Sequence, residues 1–170
     1  VAGDRAIAQT KMTISQRGMV EGENGPVLCD VVCTGRFYDF VVRHNGEWKL
    51  IHRQPIYEKD RIDPVDSTAV VKLDQTALAA FPEGYRHLAY IQTRIGYTVK
   101  LDMPMLKGAV VGELYQRGAR WLAGGALERP RDGLRAARGA AAADRRRPAD
   151  AGHRQGRPRQ WRHLRLHLSL

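Results

Sequence analysis

Val27-Leu28-Cys29-Asp30-Val31-Val32-Cys33-Thr34-Gly35-Arg36-Phe37-Tyr38-Asp39-Phe40-Val41-Val42-Arg43, then His44-Asn45-Gly46-Glu47, then Trp48-Lys49-Leu50-Ile51-His52-Arg53-Gln54-Pro55-Ile56-Tyr57-Glu58-Lys59-Asp60-Arg61: this stretch decides the fold. It is two β-rich runs around an Asn-Gly pair. Asn-Gly in that setting marks a tight hairpin, because a type I′ turn needs positive φ at both central residues. Both runs far exceed the ~5–6 residues of an ordinary strand. Strands of that length predict a strongly curved sheet that wraps a pocket. Gly35, in the middle of the first run, predicts a bulge or sharp bend.

Upstream, Ala6 to Arg17 reads as a further long strand. Ala6, Ala8, Thr10, Met12 and Ile14 fall on one face, and the mostly polar Ile7, Gln9, Lys11, Thr13 and Ser15 on the other. Gly18 to Pro26 reads as a turn or short loop. Sequential strands with short connections predict an antiparallel meander. Downstream, Pro64 ends the sheet and the period becomes helical. Helices are predicted over about 74–80, 82–94 (stopped by Gly96) and 108–122 (stopped by Gly124-Gly125). The fold class is α+β: a curved antiparallel sheet in residues 1–66, a helical extension packed on it in 67–124, and a tail in 125–170.

The net charge of +10 is uneven. Residues 1–124 hold 16 Lys+Arg against 14 Asp+Glu, whereas residues 125–170 hold 12 Arg, no Lys and 4 Asp+Glu. The basic character therefore belongs to the tail, which is built mainly of Arg, Ala, Gly, Pro and Leu. Such a composition has three readings: out-of-frame translation of a GC-rich gene, an inert extension without a core, and an arm that binds nucleic acid through phosphates. Nucleic-acid binding, if present, is confined to the tail. Val1 is not a methionine and the chain enters a strand almost at once, the pattern of a segment cut from a longer protein. No apolar run approaches the ~20 residues of a membrane helix, and no signal-peptide pattern occurs. Cys29 and Cys33 lie on one face of one strand, too far apart for a disulfide, and read as small buried hydrophobes suited to a reducing cytoplasm. No metal set and no cofactor motif (GxGxxG, Walker, HExxH, GxSxG, CxxC) is present, so no cofactor is expected.

Five residues on the long strands are candidates for lining a pocket: Arg36, Tyr38, His52, Arg53 and Tyr57. His52 is a general-base candidate or a structural strand histidine. Arg53 is a carboxylate clamp, or one half of a cross-strand ion pair with Asp39 or Asp30. Tyr38 and Tyr57 are hydrogen-bond donors or packed aromatics. The run Glu58-Lys59-Asp60-Arg61 reads as a solvated strand end, and His87 as a helix-surface or helix–sheet boundary residue.

Gly3-Asp4-Arg5-Ala6-Ile7-Ala8 opening a strand, Cys33-Thr34-Gly35-Arg36-Phe37-Tyr38-Asp39-Phe40, and Asn45-Gly46-Glu47-Trp48-Lys49-Leu50 leading to Arg53 resemble the SnoaL-like branch of the nuclear transport factor 2-like superfamily. The resemblance covers roughly residues 3–66. It implies a cone-shaped sheet around a pocket closed by helices. It implies a cofactor-free lyase or isomerase, of dehydratase or cyclase type, acting on an apolar or polycyclic small molecule. A non-catalytic ligand-binding or dimerisation module of the same fold is the alternative. The expected partners are a small apolar molecule and a second copy of the chain through the sheet. Acid–base residues of catalytic members would then lie before Val1, and Arg53 matches the pocket arginine of the final strand.

Overall fold

The computed structural model describes residues 1–127 and 164–167. The expectations for the tail lie outside the described residues, apart from its first three residues and one short strand. Three long strands form an antiparallel meander: β1 (Arg5–Gly22), β2 (Gly25–His44) and β3 (Glu47–Pro64). A four-residue strand, β4 (Leu164–His167), pairs antiparallel with β1. The helices follow the sheet: α1 (Gln75–Ala79), a single 3₁₀ turn at Glu83–Tyr85, α2 (Arg86–Arg94) and α3 (Ala109–Leu122). The α+β class with a curved antiparallel sheet is therefore the observed one, and the sheet is open.

The β2–β3 hairpin turns as its sequence requires, with φ of 53° at Asn45 and 81° at Gly46. The β1–β2 connection is tighter than the predicted loop. Strand pairing continues through Val20↔Val27 to Gly22↔Gly25, leaving Glu23-Asn24 as a two-residue turn. Val20 is buried there, so the segment gains from pairing what its glycines lose in strand propensity. Asp74 caps α1 by accepting hydrogen bonds from the Thr76 and Ala77 amides. Gly96 and Gly124 take positive φ just past the ends of α2 and α3, as helix-stopping glycines do.

The β2–β3 register slips twice. Thr34 pairs with Lys59 but Gly35 pairs with Tyr57, so Glu58 is an extra residue; Phe40 pairs with His52 but Val41 pairs with Leu50, so Ile51 is another. The bend expected at Gly35 is present, with the added residue on the facing strand. Each slip inverts the alternation of side chains. Leu50 consequently shares a face with Arg53, whereas unbroken alternation places it with His52.

The core is divided along the strands. At one end, Cys29, Val31 and Cys33 of β2 pack against Leu78 of α1, Tyr85, and Leu88, Ala89, Tyr90 and Ile91 of α2. At the other end, Tyr38, Phe40 and Ile56 pack against Val111, Leu114 and Trp121 of α3. The first set on β2 is odd-numbered and the second even-numbered. In an alternating strand these are opposite faces. The sheet thus buries one face at one end and the other face at the other end. Between them, residues 37–40 are buried on both sides.

Candidate functional site

The strand candidates separate according to this division. Arg53 and Tyr57 lie on the face covered by the 3₁₀ turn and α2, whereas Arg36, Tyr38 and His52 lie on the face covered by α3. Arg53 forms the cross-strand pair: its Nε and Nη2 donate to the two Asp39 carboxylate oxygens at 2.8 and 2.7 Å. Asp39 is 7% exposed in this pair and Arg53 38%. The guanidinium also lies 4.2 Å from the Phe37 ring centroid. Its fork is thereby committed to one carboxylate. Arg36 sits 3.3 Å from Glu58, which Lys11 approaches from the next strand.

Tyr57 belongs to the α2-side core and packs on Tyr85 with ring centroids 4.7 Å apart. Its amide is released from the ladder by the slip at Glu58 and donates instead to the Pro104 carbonyl at 2.9 Å, which docks residues 104–105 on the strand. Burial pushes the Tyr57 hydroxyl up to about 12, with Cys33 and Tyr85 adding to the effect. Burial, and the negative charge of Asp60, push the Cys33 thiol to about 12 as well. A thiol so firmly protonated is no nucleophile at neutral pH.

Both shifts raise the folded-state value of an acid that is neutral when protonated. The unfolded chain releases these protons first, so stability present below about pH 9 is lost as the pH rises toward 12. Tyr57→Phe removes one of the two groups. Relative to wild type, its stability is expected to gain about 1.4 kcal/mol between pH 8 and pH 11, because pH 11 lies one unit above the ordinary tyrosine value of 10.0 but still below the folded value of about 12. Urea denaturation at the two pH values checks this; an unchanged difference would mean that Tyr57 titrates as it does in the unfolded chain.

Beside Tyr57 stands a pair that the sequence did not disclose. His87, in the first turn of α2, donates through Nδ1 to Asp60 Oδ1 at 2.9 Å, and the other oxygen of Asp60 accepts the Leu88 amide at 2.8 Å. The Asp60 side chain is 1% exposed and that of His87 26%. Asp60 is therefore no solvated strand end. It faces inward opposite Cys33 in the ladder, and its carboxylate satisfies an amide of the helix N-terminus, where negative charge is favoured. With Nδ1 tied to a buried carboxylate, the tautomer is set and Nε2 is the nitrogen left for proton exchange. The two residues are 27 apart in the chain, and nothing local in either segment signals the contact.

The α3 side holds a second constellation. Tyr38 is buried with its hydroxyl against Gly118, where a Cβ would lie 1.9 Å from that oxygen. Its ring meets Phe40 at 5.5 Å and Tyr115 at 5.4 Å. Burial and Tyr115 raise its hydroxyl above the ordinary value, partly opposed by Arg117. His52 packs on Phe40 at 5.6 Å, and its Nε2 lies 3.2 Å from Arg117 Nη2. Arg117 was absent from the sequence expectations because its role depends on how α3 docks. Among the described residues no group of His, Cys, Asp and Glu is arranged to hold a metal ion, and no helix is long and apolar enough to cross a membrane.

No family model matches the chain. It is similar to Pea pathogenicity protein 2 of the fungus Fusarium vanettenii, 37% identical over 136 residues that cover 75% of this chain and 57% of that protein. A PEP2-like protein of the same fungus is 32% identical over 134 residues, covering 74% of this chain and 56% of its own. An uncharacterised protein of Aspergillus terreus is 32% identical over 114 residues, 61% of this chain and 42% of its own. The chain thus spans little more than half the length of the first two relatives.

Proposed function

We propose that this homologue of Pea pathogenicity protein 2 is a SnoaL-like, nuclear transport factor 2-like pocket protein that performs cofactor-free lyase or isomerase chemistry on a small apolar molecule. The observation that carries this reading is the His87–Asp60 pair. In the proposed reaction His87 Nε2 removes a proton from a carbon next to a carbonyl. Asp60 holds the ring and stabilises the imidazolium that forms. The same nitrogen then returns the proton, either to another carbon (isomerisation) or to a departing hydroxyl (dehydration). The protonated hydroxyl of Tyr57, in the same core, supplies a neutral polar group in an otherwise apolar setting, whereas that of Tyr85 donates to the Lys100 carbonyl at 2.8 Å.

5-Nitrobenzisoxazole tests for a positioned base without knowledge of the substrate, since removal of the lone C–H proton of its isoxazole ring opens that ring to a coloured phenolate. The 170-residue chain is expected to accelerate this opening. His87→Gln is expected to reduce the rate by about 10²-fold or more, the low end of what a positioned base contributes. Asp60→Asn should give a smaller loss, and His44→Gln, at the exposed end of β2, none. Equal rates for wild type and His87→Gln would refute the reading.

A second reading, a non-catalytic ligand-binding or dimerisation module, draws on two observations. Asp60 also anchors the α2 amide of Leu88, which is a structural duty. Trp48, Leu50 and Ile51 at the start of β3 remain exposed, an apolar strip of the kind that a second copy covers. The unpaired, buried Cys29 and Cys33 suit a reducing compartment such as the cytoplasm in either case.

A further inference from the structure

We propose that the seam between α3 and the sheet binds a small carboxylate with an aromatic or apolar body, and that Arg117 is its anchoring cation. The seam leaves buried donors without acceptors. Arg117 Nε and Trp121 Nε1 are both buried and without a hydrogen-bond partner among the described residues. Trp121 is only 7% exposed, so its indole N–H has left water without a replacement. A buried donor without an acceptor is costly to keep. Residues 117 and 121 are one helical turn apart, on the same side of α3.

The charge is unbalanced in the same place. Arg17, Arg36, Arg43, Arg53 and Arg61 of the sheet each sit on a carboxylate. Arg117 does not: its partners among the described residues are His52 Nε2 at 3.2 Å and the Phe40 ring at 5.1 Å. A guanidinium keeps its protons, so His52 Nε2 accepts and contributes no compensating charge. Arg5 lies 4.0 Å over the Trp121 ring and donates to the Trp121 and Gly125 carbonyls, again with no carboxylate partner among the described residues. Burial makes the charge on Arg117 harder to hold than in water, an effect opposed in part by Tyr38 and added to by the neighbouring Arg120. A half-buried cation that is not paired is costly, and an anion brought to it removes that cost and satisfies the orphaned donors together.

The walls choose the class of anion. The Phe40 ring lies 5.1 Å from the guanidinium, Tyr38 and Trp121 pack on Phe40, and Tyr115 packs on Tyr38. Phosphate sites gather several cations and backbone amides; this one offers one forked cation, one indole N–H and apolar surface, which suits a monoanion with a hydrophobic body. Tyr115 is 37% exposed, and Arg117 and His52 are partly exposed, so solvent reaches the seam. The site lies on the opposite face from His87 and stands independently of the function proposed for that residue.

The test is a titration of the full ¹⁵N-labelled chain with benzoate, with benzamide as the neutral isostere and with inorganic phosphate, following the side-chain N–H signals of Trp121 and Arg117. Benzoate is expected to move both signals saturably while benzamide and phosphate do not. Arg117→Gln should weaken benzoate binding about tenfold or more, whereas Arg94→Gln, which removes the same charge from α2, should leave it unchanged. The wild-type comparison of benzoate with benzamide holds even if Arg117→Gln folds poorly. Equal responses to the two, no saturable response to benzoate, a response to phosphate alone, or unchanged affinity in a folded Arg117→Gln protein would each overturn the assignment.

Discussion

Gly35→Ala is expected to destabilise the protein by about 4 kcal/mol or to prevent folding altogether. A Cβ on Gly35 would lie 2.1 Å from the Ile56 carbonyl oxygen and 2.9 Å from the Met12 Cε. The methionine end can move, but the carbonyl is part of the β2–β3 ladder at the point where the register slips. Relieving the contact means pulling the strands apart where Arg36 pairs with Ile56 and Gly35 with Tyr57. That exceeds ordinary overpacking, which costs about 1–3 kcal/mol. The same change at Gly112, in α3 with no neighbour within 4 Å of its Cβ, should stabilise by about 0.5–1 kcal/mol. Urea unfolding of the two variants decides the matter. A Gly35→Ala protein as stable as wild type would mean that the close approach at the slip is not maintained in solution.

Phe40→Ala should cost about 3–5 kcal/mol, the range for a large aromatic removed from a core that closes only in part. Phe40 is fully buried and is the hub of the α3 side. Tyr38, His52 and Trp121 contact its ring at 5.5, 5.6 and 6.4 Å, and Arg117 lies over it. Its loss removes the common surface on which α3 rests, so the near-ultraviolet signal of Trp121 should collapse together with the denaturation midpoint. Phe40→Leu, which keeps most of the volume, should cost less than half as much. Equal losses for Ala and Leu would point to the ring contacts rather than the filled volume as the source of stability.

How far these features were legible in the chain depends on how local their causes are. The Asn45-Gly46 turn and the Gly96 and Gly124 stops are each decided within a few residues, and all could be read; the short helix from residue 74 was read too, but not the cap that Asp74 gives it. The Arg53–Asp39 pair was readable as one of two options, since either aspartate lies on the neighbouring strand. The end of β1 was not, because Gly18 and Gly22 resemble a loop until Val20 is seen to pair and bury. The slips at Ile51 and Glu58 have no local signature. They are settled by how two curved strands fit, and they moved Leu50 to the other face. His87 and Asp60 meet only when α2 folds back on the sheet, and Arg117 meets His52 only when α3 does. The site chemistry therefore resides in contacts between elements, which periodicity does not describe.

The divided core has a mechanical meaning. Each long strand passes from one hydrophobic clamp to another that grips it from the opposite side. The two clamps grip opposite faces, and they meet at residues 37–40, which are buried on both sides. Loosening either one leaves the other holding its own end of the same ribbon, so the molecule is closer to two small cores sharing three strands than to one core wrapped by a sheet.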